Sequence, residues 1–165
     1  QDAQADRPRS VLGPAVCRVS LWGDRCVQDN DGAIAGRAGL RAGAVGQHIF
    51  DEPIEECCSD PITGFFRDGF CHTDKLDRGL HIVCSLITED FLSFSKSRGN
   101  DLSTPRPEFN FPGLQEGDSW CVCAERWKEA YEHGFAPKVF LKRTHKKATS
   151  IIDIEVLKEY AVDLN

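Results

Sequence analysis

The sequence contains no methionine, not even at position 1. We therefore expect a trimmed chain, produced by removal of a targeting peptide, which we favour, or by truncation. No stretch approaches the roughly 18 consecutive apolar residues of a membrane-spanning helix, so no membrane span is predicted. A basic excess is also missing, since the net charge is −6. A surface that neutralises phosphates needs such an excess, and nucleic acid is therefore not an expected partner.

Common catalytic and cofactor-binding motifs are absent too. The sequence shows no nucleophile elbow, phosphate-binding loop, His-Glu-x-x-His helix or dinucleotide fingerprint. We predict no cofactor. Among the histidines, His81 is interpreted as a strand residue and His133 as a helix C-terminal residue, both structural.

The first 46 residues differ in composition from the rest. All six of their basic residues are Arg, they hold half of the 14 glycines, and no Phe occurs before Phe50. Such a stretch has little apolar area to bury and much backbone entropy to lose. We predict a flexible Ala/Arg/Gly-rich extension over 1–46 and a single domain over 47–165.

Strands and helices alternate along that domain. Each segment was assigned from its hydrophobic periodicity, capping residues and glycine stops. The fold class predicted is α+β, one compact domain with a small sheet of short strands and three to four helices. The predicted strands are Leu80–Ile87, Ser119–Cys123 and an edge strand Lys138–Thr144; the predicted helices are Glu89–Arg98, Ala124–His133 and Ile154–Val162.

The eight cysteines are Cys17, Cys26, Cys57, Cys58, Cys71, Cys84, Cys121 and Cys123. We expect a reducing compartment and mostly free thiols, because the chain is long enough to form a core without disulfides. Thiolates suit a soft metal, but the Cys-x₂-Cys knuckles of most zinc sites are missing. The favoured interpretation of the cysteines is therefore that they are buried thiols or form one disulfide. The metal-ligand candidates are Cys57, Cys58, Cys71, Cys121 and Cys123.

A redox role is a further hypothesis for Cys123. This residue precedes a predicted helix, whose dipole is expected to lower the pKa of the thiol. Cys121 would then be the resolving partner.

A polar loop follows the first predicted helix. Its donors and carboxylates, with two residues of an earlier segment, are suited to an anionic ligand or a partner carboxylate. The alternative is that these side chains satisfy the backbone of the loop itself. The binding candidates are Arg67, Asp68, Arg98, Asn100, Asp101, Thr104 and Arg106.

Three strings resemble one family: Ser59–Gly69 (SDPITGFFRDG), Ser95–Gly113 (SKSRGNDLSTPRPEFNFPG) and Gly117–Trp127 (GDSWCVCAERW). They are similar to the domain-of-unknown-function family numbered two-two-three-seven, which has bacterial members and eukaryotic ones, including some from plastid-bearing organisms. The resemblance covers about residues 46–163. It implies a compact α+β domain, with no established reaction and no known cofactor.

Two functional hypotheses follow. The first is a non-enzymatic binding or accessory domain that contacts a protein partner through Arg98–Gly113 and Arg67–Asp68. Such a domain would suit a peripheral subunit or assembly factor of an organellar complex, in an intracellular and reducing compartment such as the plastid. The alternative is a small thiol- or metal-dependent enzyme centred on Cys121 and Cys123.

Overall fold

The computed structural model describes residues 46–60, 62–109, 111 and 113–164. The predicted extension lies almost wholly outside the described residues. The elements in chain order are β1 (His81–Leu86), α1 (Glu89–Ser97), β2 (Ser119–Cys123), α2 (Ala124–Glu132), β3 (Lys138–Val139) and α3 (Ile154–Glu159), with short 3₁₀ turns at Pro107–Phe109, Leu141–Arg143 and Lys146–Ser150. The α+β prediction is confirmed.

Strand β1 is the centre of the sheet. The strand order is β2-β1-β3, and both neighbours run antiparallel to β1. The four residues Ile82–Ser85 are fully buried, as expected for a β-branched segment covered on both faces. On β2, Cys121 lies opposite Cys84 and Cys123 lies opposite His81, with an irregularity in the ladder between His81 and Val83.

Helix α1 begins and ends where the sequence signals are. The hydroxyl of Thr88 accepts from the N–H of Phe91 at 3.2 Å, which satisfies one of the free donors of the first turn. Phe91 and Leu92 turn into the core. Gly99, with φ of +80°, takes the left-handed conformation that ends the helix.

No loop connects β2 to helix α2, so the sheet determines where the helix begins. Ala124, Trp127 and Ala130 form its buried face. The indole N–H of Trp127 donates to the carbonyl of Pro137 at 3.1 Å. This bond satisfies the polar atom of a completely buried aromatic ring.

The predicted strand Lys138–Thr144 is wrong over most of its length. Only Lys138–Val139 pairs as a strand, and Leu141–Arg143 forms a 3₁₀ turn. The carboxylate of Asp163 accepts from the N–H groups of Leu141 and Lys142, at 2.8 and 2.9 Å. A carboxylate 21 and 22 residues after these donors therefore caps this turn and takes the N–H groups that a longer ladder would need.

Two disulfides fasten the segment before β1 to the sheet. Cys57 is bonded to Cys84 of β1, and Cys71 is bonded to Cys121 of β2. Cys58 is disulfide-bonded as well. The expectation of mostly free thiols is therefore wrong for the described cysteines, among which Cys123 is free. Since Cys84 and Cys121 are cross-strand neighbours, the Cys57–Cys84 and Cys71–Cys121 bonds lie side by side.

Two threonine hydroxyls also bind the sheet, one from the segment before β1 and one from the chain after β3. The hydroxyl of Thr63 accepts from the N–H of Cys121, and that of Thr144 accepts from the N–H of Cys84. Both threonines are completely buried.

Across the described residues, no helix combines the length and apolar character that crossing a bilayer requires.

Candidate active site

Cys123 is the last residue of β2 and the N-cap of α2. Its side chain is partly buried, and it is the free cysteine of the described chain. Its sulfur makes no capping hydrogen bond, but the backbone N–H groups of Arg126 and Glu125, in the first turn of α2, act to lower the pKa of the thiol. The helix start therefore provides donors for a negative charge on this atom.

A buried carboxylate, that of Asp77, lies just before β1, and the imidazole of His81 is the first side chain of that strand. Asp77 is 1% exposed, and its Oδ1 lies 2.7 Å from Nδ1 of His81. Its Oδ2 accepts from the backbone N–H of His81 at 2.8 Å. Burial opposes the ionisation of Asp77, but the hydrogen bonds and charge of His81 outweigh it and lower its pKa. Asp77 is therefore ionised, and it orients the ring with Nδ1–H as the donor.

His81 and Cys123 are backbone partners at the end of the β1–β2 ladder, next to its irregularity. Directly opposite residues of antiparallel strands have Cβ atoms about 5 Å apart and share a face. Within the described residues, Nε2 of His81 has no hydrogen-bond partner, so it can accept a proton. The ring stacks on Phe65 with centroids 6.1 Å apart. A Cβ at Gly79 would come within 2.7 Å of the imidazole, so the chain needs glycine there.

The prediction of a lowered pKa for Cys123 is wrong. Burial of the thiol raises its pKa, and the negative charge of Asp77 adds to that effect. The N–H groups of Arg126 and Glu125 and the Arg126 charge act in the opposite direction without outweighing it. The assignment of Cys121 as resolving partner also fails, because Cys121 is bonded to Cys71.

The polar loop is held together by Asp101. Its Oδ1 accepts from the N–H groups of Ser103 and Thr104, at 3.0 and 3.1 Å, and its Oδ2 accepts from the Thr104 hydroxyl at 2.7 Å. Lys96 lies 3.2 Å from the same carboxylate. The Asp101 carboxylate therefore satisfies the loop's own backbone, which is the alternative interpretation of this segment, and the Thr104 hydroxyl binds that carboxylate.

The other loop candidates also have internal contacts. Arg98 lies 3.6 Å from the carboxylate of Glu129 and 2.6 Å from Nε2 of His133. Asn100 is 1% exposed and donates to the hydroxyl of Ser95 at 2.9 Å. Arg106 lies 3.7 Å from Glu108.

Arg67 and Asp68 occupy the turn that carries Phe65. Arg67 has a φ of +60°, and burial lowers the pKa of its guanidinium to about 10. Asp68 lies 2.6 Å from Nε2 of His72. In the described part of the chain no hydrogen bond or ion pair links either residue to the loop, so the predicted shared surface remains a prediction.

The pKa of Asp101 leads to a prediction about stability. Burial opposes its ionisation, but the hydroxyls of Thr104 and Ser103, the N–H of Thr104 and Lys96 outweigh it and hold the pKa far below the usual range. A depressed folded-state pKa gives stability that is present above the unfolded value and is lost as the pH falls. We expect Asp101→Asn to lower the free energy of unfolding by about 1–3 kcal/mol at pH 7.

Urea denaturation at neutral and acidic pH tests this. The difference between the wild type and Asp101→Asn should shrink below about pH 4, where the unfolded carboxyl becomes protonated. Glu116→Gln, at an exposed position, serves as the control and should cost little. A difference that stayed constant with pH would mean that the charge of Asp101 contributes nothing.

Three of the five metal-ligand candidates come together. The sulfur atoms of Cys57, Cys71 and Cys121 all lie within 4.8 Å of one another, and all three residues are buried. Cys58 and Cys123 are not part of this group. The three residues come from two stretches before β1 and from β2, and no spacing in the sequence joins them.

Asp77 and His81 are the site residues that the sequence analysis missed. His81 was interpreted as structural, and Asp77 was not considered. A signal was present in the spacing Asp-x₃-His directly before the strongest predicted strand. What could not be seen was the register, which places His81 opposite Cys123.

The fold and this site define a small α+β domain with a Cys, His and Asp constellation at one end of its sheet. A family model, described as an uncharacterised protein conserved in bacteria (domain of unknown function 2237), matches residues 47–161. The chain belongs to this family, and the resemblance drawn from its three strings is confirmed. No curated protein matches the chain.

Proposed function

We propose that the protein is a thiol-dependent enzyme in which Cys123 is the nucleophile, His81 the general base and Asp77 the residue that orients His81. One observation carries the proposal: a free, partly buried thiol lies opposite an imidazole whose other nitrogen is held by a buried carboxylate. Nucleophile, base and orienting group in this order are the recurring arrangement of nucleophilic catalysis.

The raised pKa of Cys123 makes the base necessary. A thiol kept neutral by burial is a poor nucleophile until its proton is removed. Nε2 of His81 takes that proton as the sulfur attacks, and the charge of Asp77 stabilises the imidazolium that forms. The first-turn N–H groups of α2 stabilise the thiolate during this step.

The reaction class that fits is acyl transfer. Sulfur adds to the carbonyl carbon of a thioester or activated ester, and the leaving group departs with the proton that His81 has taken from the thiol. The acyl group is then bound to Cys123. His81, neutral again, removes a proton from water or another acceptor as that acceptor adds to the acyl carbon. The carbon–sulfur bond then breaks, and His81 returns the proton to the sulfur, which regenerates the thiol.

The binding hypothesis remains a prediction without support of this kind. It depends on the loop Arg98–Gly113, where Asp101 and Thr104 bind each other and Arg98 contacts Glu129 and His133. Side chains with internal partners have less to offer a ligand. The organellar and reducing location likewise stays a prediction.

An activated ester probe tests the proposal. We expect p-nitrophenyl acetate to acylate the purified protein once per chain, with the added acetyl mass on the peptide that contains Cys123, followed by turnover. The variant Cys123→Ser should lose both the adduct and the burst while unfolding at the same denaturant concentration as the wild type. Acetylation at the rate of free cysteine, or spread over lysines, would contradict the proposal.

A further inference from the structure

The cysteine cluster Cys57, Cys71 and Cys121 contains more sulfur than a single disulfide requires. Three sulfur atoms from three separate stretches lie within 4.8 Å of one another, and the three residues are at most 2% exposed. Cys84, also completely buried, is bonded to Cys57 and adds a fourth thiol to the same place when that bond is reduced.

In the oxidised protein the sulfur atoms of Cys71 and Cys121 are joined in a disulfide, and reduction leaves all three as thiols close enough to share one metal ion. Zinc–sulfur bonds of about 2.3 Å in a tetrahedron place neighbouring sulfur atoms about 3.8 Å apart. Soft thiolates select Zn²⁺ and similar ions over hard cations. We propose that the reduced protein binds one thiophilic divalent ion through Cys57, Cys71 and Cys121, with Cys84 as the additional thiol.

The surroundings suit a negatively charged metal–thiolate centre. Three or four thiolates around one divalent ion carry an excess negative charge. Arg143 is partly buried, and its guanidinium donates to the carbonyl of Cys57 at 3.4 Å. A cation in this position offsets part of that charge, and burial excludes competing water.

Metal binding and the two disulfides exclude each other. Two molecules of a dithiol reductant supply four electrons and four protons, break the Cys57–Cys84 and Cys71–Cys121 bonds, and are themselves oxidised to disulfides. The ion then binds as the ligating thiols release their protons. The cluster is therefore a redox-linked site, oxidised and metal-free or reduced and metal-loaded. This inference is independent of the proposed function, because Cys123 is not part of the cluster.

Cobalt titration of the anaerobically reduced full chain tests the proposal. After reduction with a phosphine and desalting, we expect Co²⁺ to bind with one ion per chain and to give the absorption bands of tetrahedral Co²⁺–thiolate. Zn²⁺ should displace it. Cys121→Ser should weaken Co²⁺ binding at least tenfold, whereas Cys123→Ser, the matched control in the same Cys-x-Cys, should bind as tightly as the wild type.

A second measurement covers the case in which Cys121→Ser does not fold. Zn²⁺ added to the reduced wild type should protect the clustered cysteines, and not Cys123, from alkylation, as mapped by mass spectrometry. Absence of thiolate bands, or bands that persist in the folded Cys121→Ser variant, would overturn the proposal. So would Zn²⁺ that leaves every thiol equally reactive.

Discussion

Replacing His81 with asparagine should slow the acylation of Cys123 by about 100-fold or more, the usual contribution of a positioned general base. The asparagine amide can still donate to Asp77, so the buried carboxylate keeps a partner while the group that accepts the thiol proton is lost. The burst of p-nitrophenol under single-turnover conditions measures the effect. The free energy of unfolding should change far less than the rate.

A second histidine provides the matched control. His72 is paired with Asp68 at the same i, i+4 spacing as His81 with Asp77, but it does not lie opposite Cys123. His72→Asn should therefore acylate at the wild-type rate. Asp77→Asn should slow acylation too, since the amide no longer fixes the tautomer of His81. Equal rates in wild type and His81→Asn would remove the base from the mechanism.

Removing the Cys71–Cys121 disulfide should have the largest effect on stability. The double variant Cys71→Ser, Cys121→Ser frees a loop across the 50 residues that separate the two cysteines, for which chain entropy alone gives about 4 kcal/mol. Placing two hydroxyls in the core adds to that cost. Denaturant titration of the oxidised protein, with a chelator present to keep metal out, measures the loss.

The other disulfide provides the comparison. Cys57 and Cys84 are 27 residues apart, and the same model gives about 3.5 kcal/mol for Cys57→Ser, Cys84→Ser. Both double variants should therefore be strongly destabilised, the Cys71 pair slightly more. If the oxidised wild type were no more stable than its reduced, metal-free form, the disulfides would contribute nothing to the folded state.

Elements with local signals were predictable from the sequence. Helix α1 is one such element. Its start was indicated by Thr88, its end by Gly99 and its buried face by Phe91 and Leu92, and the structure confirms the helix. The short length of β3 was not predictable from the sequence. Its shortening depends on Asp163, which is remote in sequence and adjacent only in the fold.

The candidate site was likewise only partly predictable from the sequence. Cys123 stands out in the sequence because it precedes a helix, but the direction of its pKa depends on burial and on Asp77, which only tertiary structure reveals. The disulfide pairing was equally hidden, because eight cysteines allow 105 complete pairings and spacing does not choose among them. Register, more than composition, decides which side chains meet.

The attachment of the segment before β1 has a consequence for the synthesis of the chain. Its partners lie late in the sequence. The N–H of Glu55 donates to the carbonyl of Lys142. His48 forms an isolated β-bridge with His145, and Cys71 forms one with Thr144. While the ribosome is still making the second half, this segment has none of these contacts, and Cys71 lacks its native partner Cys121. In an oxidising environment the Cys57–Cys84 bond can therefore form first, and any bond that Cys71 makes before Cys121 is available must be reshuffled afterwards.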